Sequence, residues 1–257
     1  MICGKTNFLS LLASFTVVAP CAPAADPAWK SPFPSDTVPA VTEDGQRVLH
    51  RDDFSTDTLG NYWGTSSKTA TITEGSLKAT RDPDGNGKYK VAVEPFKNAE
   101  FNFRFRFHDA PHFWFGTDDL TIKDTVHGGH LFNCIVATDS LTFTDSLSGK
   151  YNPQHYPKFL KAKKDKQAKK NKAYPPELLA IEKATTKTVP LTLEQNRWYE
   201  IKILLQDDTI TVFLDGGKAG SYTSPGFAHP RKDMYRFIMG GTVEIDDILV
   251  RALDTAE

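Results

Sequence analysis

Asn98-Ala99-Glu100-Phe101-Asn102-Phe103-Arg104-Phe105-Arg106-Phe107-His108 decides how the rest of the chain is read. Phenylalanine takes every second position from 101 to 107, and Asn102, Arg104, Arg106 and His108 fill the gaps. A period of two sends the aromatic rings to one face of an extended strand and the polar groups to the other. Such a strand lies half-buried in an antiparallel sheet, its aromatic face against a second layer. Working outward, residues 198–205 repeat the pattern, with Tyr199, Ile201, Ile203 and Leu205 opposite Glu200 and Lys202. Asp207-Asp208 then breaks it, 209–214 realigns Ile210, Val212 and Leu214, and Asp215-Gly216-Gly217 makes another turn. Weaker strands are expected at 69–73, 76–80, 88–93, 130–137, 140–144, 219–222 and 234–239.

The last strand, 242–251, carries a phase slip. Val243 and Ile245 share one face, but the next apolar alternation is Ile248 and Val250, so the register shifts at Asp246-Asp247. A β-bulge is the simplest cause, and it re-aims the adjacent carboxylates. Many short strands with Gly, Asp and Asn turns and little helix define an all-β, two-sheet antiparallel sandwich. One insertion, at about 157–186, interrupts it. Lysines 158, 161, 163, 164, 166, 169, 170 and 172 precede Pro175-Pro176 and a helix-like stretch at 177–184. The lysine run reads as a solvated loop on its composition, with a grip on a polyanion as the other reading.

The 257 residues suffice for one large sandwich, at 46–253. A formal net charge of −1 gives no basic footprint, so nucleic acid is not an expected partner. Lys5, the apolar run 8–18 and Ala22-Pro23-Ala24 form a secretory signal peptide over 1–24, which implies export to the periplasm or beyond. Lipidation at Cys21 is the rival reading, and Pro20 fits it badly. No later stretch approaches the roughly 20 apolar residues of a transmembrane helix. Residues 25–45, rich in proline, read as a tether, with order beginning near Val48. After the signal only Cys134 remains, within an apolar run, as a buried small hydrophobe without a disulfide.

Arg51-Asp52-Asp53-Phe54-Ser55 with Trp63 and Glu74-Gly75-Ser76-Leu77, the stretch 196–201 with 208–216, and Val243-Glu244-Ile245-Asp246-Asp247-Ile248-Leu249-Val250 together resemble the concanavalin A-like lectin/glucanase superfamily. The resemblance is to its laminin-G-like and 3-keto-disaccharide hydrolase domains. It implies a jelly roll whose concave face binds or cleaves glycans, as a glycoside hydrolase or sugar lyase. The alternative it leaves open is a non-catalytic laminin-G-like module with a protein or cell-surface partner. Some relatives hold a structural calcium, which the resemblance carries onto Asp246, with Asp53 as partner; calcium prefers such oxygen ligands. Glu244-Ile245-Asp246-Asp247-Ile248-Leu249 begins like the retaining-glucanase motif Glu-x-Asp-x-x-Glu but ends in leucine, so that carboxylate pair is not expected here.

The expected carbohydrate site is the polar face Asn102, Arg104, Arg106 and His108 together with His112 and Trp114, an aromatic platform with planar hydrogen-bonders. Arginines there would favour an acidic or sulfated glycan. His108, His112, His127 and His130 lack the spacing and cysteine partner of a zinc site. His130 and Asp145 are the candidates for acid–base work, which needs a titratable group at the reacting centre.

Overall fold

The structure, a computed structural model, describes residues 34–85, 87–123, 129–169 and 174–253. The signal segment, Cys21 and His127 lie outside the described residues. The strands are β1 (Val41–Glu43), β2 (Gln46–Asp52), β3 (Trp63–Thr65), β4 (Thr71–Thr73), β5 (Ser76–Ala79), β6 (Lys88–Phe96), β7 (Ala99–Phe107) and β8 (His112–Asp118). Next come β9 (His130–Ala137) and β10 (Ser140–Asp145), followed by helices α1 (Tyr156–Lys169) and α2 (Pro176–Ala184). The chain ends through β11 (Thr186–Pro190), β12 (Trp198–Gln206), β13 (Thr209–Leu214), β14 (Gly217–Thr223), β15 (Lys232–Met239) and β16 (Val243–Ala252).

They form two antiparallel sheets. One is nine-stranded, ordered β1-β2-β16-β7-β12-β13-β14 with β4 and β5 attached through β16. The other is seven-stranded, ordered β11-β10-β9-β8-β15-β6-β3. The phenylalanine stripe of β7 faces inward as its period demands, and Phe101, Phe103, Phe105 and Phe107 are buried. It meets the aromatic stripes of β8 and β15 edge-on, with ring centroids 4.8 Å apart for Phe101 and Phe115, 5.2 Å for Phe103 and Phe237 and 5.0 Å for Phe105 and Phe113. Edge-to-face pairing aligns each ring's positive rim with its neighbour's negative face, which adds about 0.5–1.5 kcal/mol per pair beyond area burial. Cys134 is buried and free in this core, and burial pushes its thiol pKa far up, so it packs as a hydrophobe.

The bulge in β16 is present: its register against β7 shifts between Asp246 and Leu249, and Asp247 adopts a φ of 51°. Two expectations are corrected. Order begins before Val48, because Val38 bridges Val93 and β1 pairs with β2, so the end of the proline-rich segment is stitched to the sandwich. The first part of the lysine run is helix rather than loop, because Tyr156 and Phe159 bury beneath α1 and the Phe159 ring meets Tyr174 at 5.5 Å. Those anchors offset the entropy of ordering a lysine-rich segment, while Lys158, Lys161, Lys163 and Lys164 stay exposed. No helix among the described residues is long and apolar enough to cross a membrane.

Between the sheets His50 shares a 2.5 Å hydrogen bond with the Tyr235 hydroxyl, and burial lowers its pKa to about 3. The unfolded chain takes up this proton near pH 6.5 and the folded one does not, so stability falls as pH drops below that value. Urea unfolding between about pH 6 and pH 5, above the carboxylate range, should show stability falling by about 1.4 kcal/mol per pH unit for His50, with His130 adding a comparable share. His50→Gln should remove the first share.

Candidate functional site

Cross-strand register arranges the outer face of the seven-stranded sheet in rows. Since Phe113, Phe115, Tyr235 and Phe237 point into the core, their alternates on β8 and β15 point out. One row runs Lys90, Arg236, Gly116, Asn133, Thr144, Thr186 on β6, β15, β8, β9, β10 and β11. Beside it on one side lie Ile238, Trp114 and Ile135, and on the other Met234, Asp118 and His130.

The outer face of an ordinary sheet is solvated, yet Arg236 is 1% exposed and Asp118 0%. Gly116 makes this possible: a Cβ there would come within 2.8 Å of Arg236 Nη2, so its absence lets the guanidinium lie across β8. Arg236 pairs with Asp118 and donates from Nη2 to Asn133 Oδ1 at 2.6 Å. The same Asp118 Oδ1 accepts from His130 Nδ1 at 2.7 Å. His130 reaches this face through a register shift: Thr117 pairs with Phe132 but Asp118 with His130, leaving Leu131 as the extra residue of a bulge. Gly129, at a φ of 81°, closes the segment through its carbonyl, which accepts from Asp119 N at 3.0 Å.

Burial foremost, then the charges of Lys90, Lys88 and Lys150, bring the His130 pKa down to about 4. The imidazole is therefore neutral at ordinary pH. A carboxylate can only accept, so Nδ1 carries the proton and Nε2 is the basic nitrogen. Burial also lowers Lys90 to about 8 and Arg236 to about 9.

Beside this network, and touching it at Asn133, opens a hollow of about 430 Å³. Trp114, Ile135 and Tyr151 give it an apolar floor, Asn133, Thr144 and Ser146 give it hydrogen-bonding groups, and Lys150, Glu182 and Lys183 add charge. Tyr151 comes from the β10–α1 segment and meets the His130 ring edge-on at 5.8 Å. Asn133 joins hollow to network, donating from Nδ2 to Ser146 Oγ at 3.2 Å while its Oδ1 holds Arg236.

The expected site divides in two. Trp114 lies in the hollow, and His112 sits beside it with ring centroids 6.4 Å apart. Asn102, Arg104, Arg106 and His108 lie on the opposite side of the sandwich, because β7 belongs to the nine-stranded sheet and β8 to the other. A second hollow of about 460 Å³ borders Asn102 and Arg104, so size does not choose between the two faces. Chemistry does. Arg104 pairs with Asp246 at 3.4 Å and Asp247 at 3.3 Å, and Arg106 with Glu244, which also lies 3.0 Å from His108 Nε2. Both guanidiniums stack over Trp198, at 4.9 and 4.8 Å from its ring. The arginines are neutralised within the sheet, which removes the stated basis for their attracting an acidic glycan.

Asp145 is likewise engaged elsewhere. Its Oδ2 accepts from Ser224 Oγ at 2.6 Å and Gly226 N at 2.8 Å, and its Oδ1 from Ser148 N at 2.8 Å, so it ties β10 to the 225–228 turn. The residues expected for calcium do not assemble a cage. Asp246 already faces Arg104, exposed Asp53 caps its own turn by accepting from Ser55 N at 3.0 Å, and among the described residues no group of three or more His, Cys, Asp or Glu converges. Calcium needs six or more oxygens. Sequence reasoning missed Arg236, Asn133, Lys150 and Tyr151. Arg236 interrupts the apolar run of β15, the one signal that could have found it.

No family model matches the chain, and no curated protein matches it. Solved structures share its fold. A laminarinase from Flavobacterium sp. UMI-01 aligns at a TM-score of 0.51 with 10% identity over 79% of this chain and 99% of that one. The catalytic domain of an endo-1,3-β-glucanase (laminarinase) from Thermotoga petrophila RKU-1 aligns at 0.50 with 12% identity over 82% and 98%. A sialidase aligns at 0.53 with 12% identity over 80% of this chain, which spans only 19% of that protein. At such identities the likeness is one of fold. The chain is an all-β, two-sheet antiparallel jelly-roll sandwich. Its own residues must say what the sandwich does.

Removing one partner of the buried pair should be costly. Asp118→Asn should lower the unfolding free energy by about 3 kcal/mol or more, while the double change Asp118→Leu with Arg236→Met should recover much of it. Urea melts of the three proteins check this.

Proposed function

We propose that the hollow binds a glycan and that His130 serves there as general base, in an exported carbohydrate-processing domain of the 3-keto-disaccharide hydrolase type. The supporting observation is that Tyr151, which lines the hollow together with Trp114, meets the ring of His130 at 5.8 Å, so the His130–Asp118 dyad adjoins the hollow across the Asn133 row from Trp114. Aromatic faces accept the C–H surface of a sugar ring, and the Asn133 amide with the Thr144 and Ser146 hydroxyls suits its hydroxyl groups. Behind them stands an imidazole kept neutral and fixed in one tautomer, so it is unprotonated over the working pH range, the state from which a general base acts.

Hydrolysis by paired carboxylates gains no support, because Glu244 and Asp246 sit on the opposite sheet. The dyad favours elimination instead. A carbonyl on the sugar acidifies the neighbouring C–H, His130 Nε2 takes that proton, and the electron pair forms a C=C bond as the glycosidic C–O bond breaks. The proton then passes to the leaving oxygen. Lys90, in the adjoining row, favours the negative charge that builds on the carbonyl oxygen.

Turnover and binding on a panel of oxidised and unoxidised glycans test this. Activity should rise with pH through about 4 and then level off, as His130 loses its proton. His130→Gln should cut kcat by roughly a hundredfold or more with binding retained, and Trp114→Ala should weaken binding by about tenfold. A panel without a single bound glycan would leave the protein-partner alternative standing.

A further inference from the structure

Cations outnumber anions around the hollow, and their placement carries a statement about the ligand. Lys150 enters from the β10–α1 segment and Lys183 from the last turn of α2, so two independent elements bring ammonium groups to one cavity. Neither forms an ion pair among the described residues. Lys90 and Arg236 stand behind them in the sheet, with Lys88 one row away. Two carboxylates face this group. Asp118 is already held between Arg236 and His130, which leaves Glu182 on the wall of the hollow.

We infer that the hollow takes a sugar bearing an anionic substituent, a carboxylate or a sulfate, seated between Lys150 and Lys183. This rests on the glycan reading above and adds the charge of the substrate to it. Partly walled clefts with an excess of one sign of charge concentrate the opposite sign, because the low-dielectric walls focus the field, and here two ammonium groups face the single carboxylate of Glu182. Lys150 Nζ lies 5.6 Å from the Tyr151 ring, and burial lowers its pKa despite the opposing pull of Glu182, so the ammonium has lost part of its hydration shell. A ligand anion restores that solvation, which a neutral hydroxyl does poorly. Thr144 and Thr186 line the same hollow and supply hydroxyl donors. The excess also reaches the dyad, since Lys90, Lys88 and Lys150 all act to hold His130 neutral.

The test follows the Trp114 indole NMR resonance during titration with glucuronate, galacturonate and glucose sulfate, and with glucose and galactose as neutral partners. Monosaccharides make the outcome independent of linkage. At least one charged sugar should bind about tenfold tighter than its neutral partner. That preference should weaken with added salt and vanish in Lys150→Gln with Lys183→Gln, while Lys150→Arg keeps it. The uronates and the sulfate distinguish the two anions. Equal shifts from charged and neutral sugars would overturn the charge preference and leave the glycan site intact. A resonance unmoved by every sugar would overturn both.

Discussion

A guanidinium that leaves water must be met by a counter-charge and by acceptors for its N–H groups, and the seven-stranded sheet is arranged around that requirement at Arg236. Two neighbouring strands answer it. On β8, Gly116 gives up its side chain so the group can lie flat, and Asp118 supplies the charge; on β9, Asn133 supplies a neutral acceptor. His130 is then fixed by the same carboxylate, so the imidazole inherits its tautomer from an ion pair whose first task is structural. The framework and the proposed chemistry share one aspartate.

The strands were legible because the two layers bury side chains at strict alternation. Phe101 to Phe107, Tyr199 to Leu205 and the slip at Asp246-Asp247 each state their inner face in the residues themselves. What alternation cannot state is which strands share a sheet. β7 and β8 are consecutive, both carry a phenylalanine stripe, and both turn polar groups outward, yet they face each other across the core. Their polar faces therefore point in opposite directions, and Arg104 and Trp114 stand back to back. Long-range pairing sets that relation, and local period does not carry it.

Local pattern also failed where a single residue changes the phase. Strict alternation from Cys134 and Phe132 back along β9 would send His130 inward, with the core residues. The extra Leu131 reverses that and puts it beside Asp118. In the insertion, composition pointed to a loop because lysines dominate the count, whereas Tyr156 and Phe159 decide the conformation. Two buried rings outweigh many solvated ammonium groups, since the latter cost little to leave in water on a helix surface.

The bulge at Leu131 has one more implication. Because it lies within the β8–β9 ladder, the aim of His130 is stored in the hydrogen-bonded register of the two strands. Were Leu131 drawn into the pairing opposite Asp118, strict alternation would return and turn the imidazole toward the core, so the direction of the base is inherited with one inserted residue.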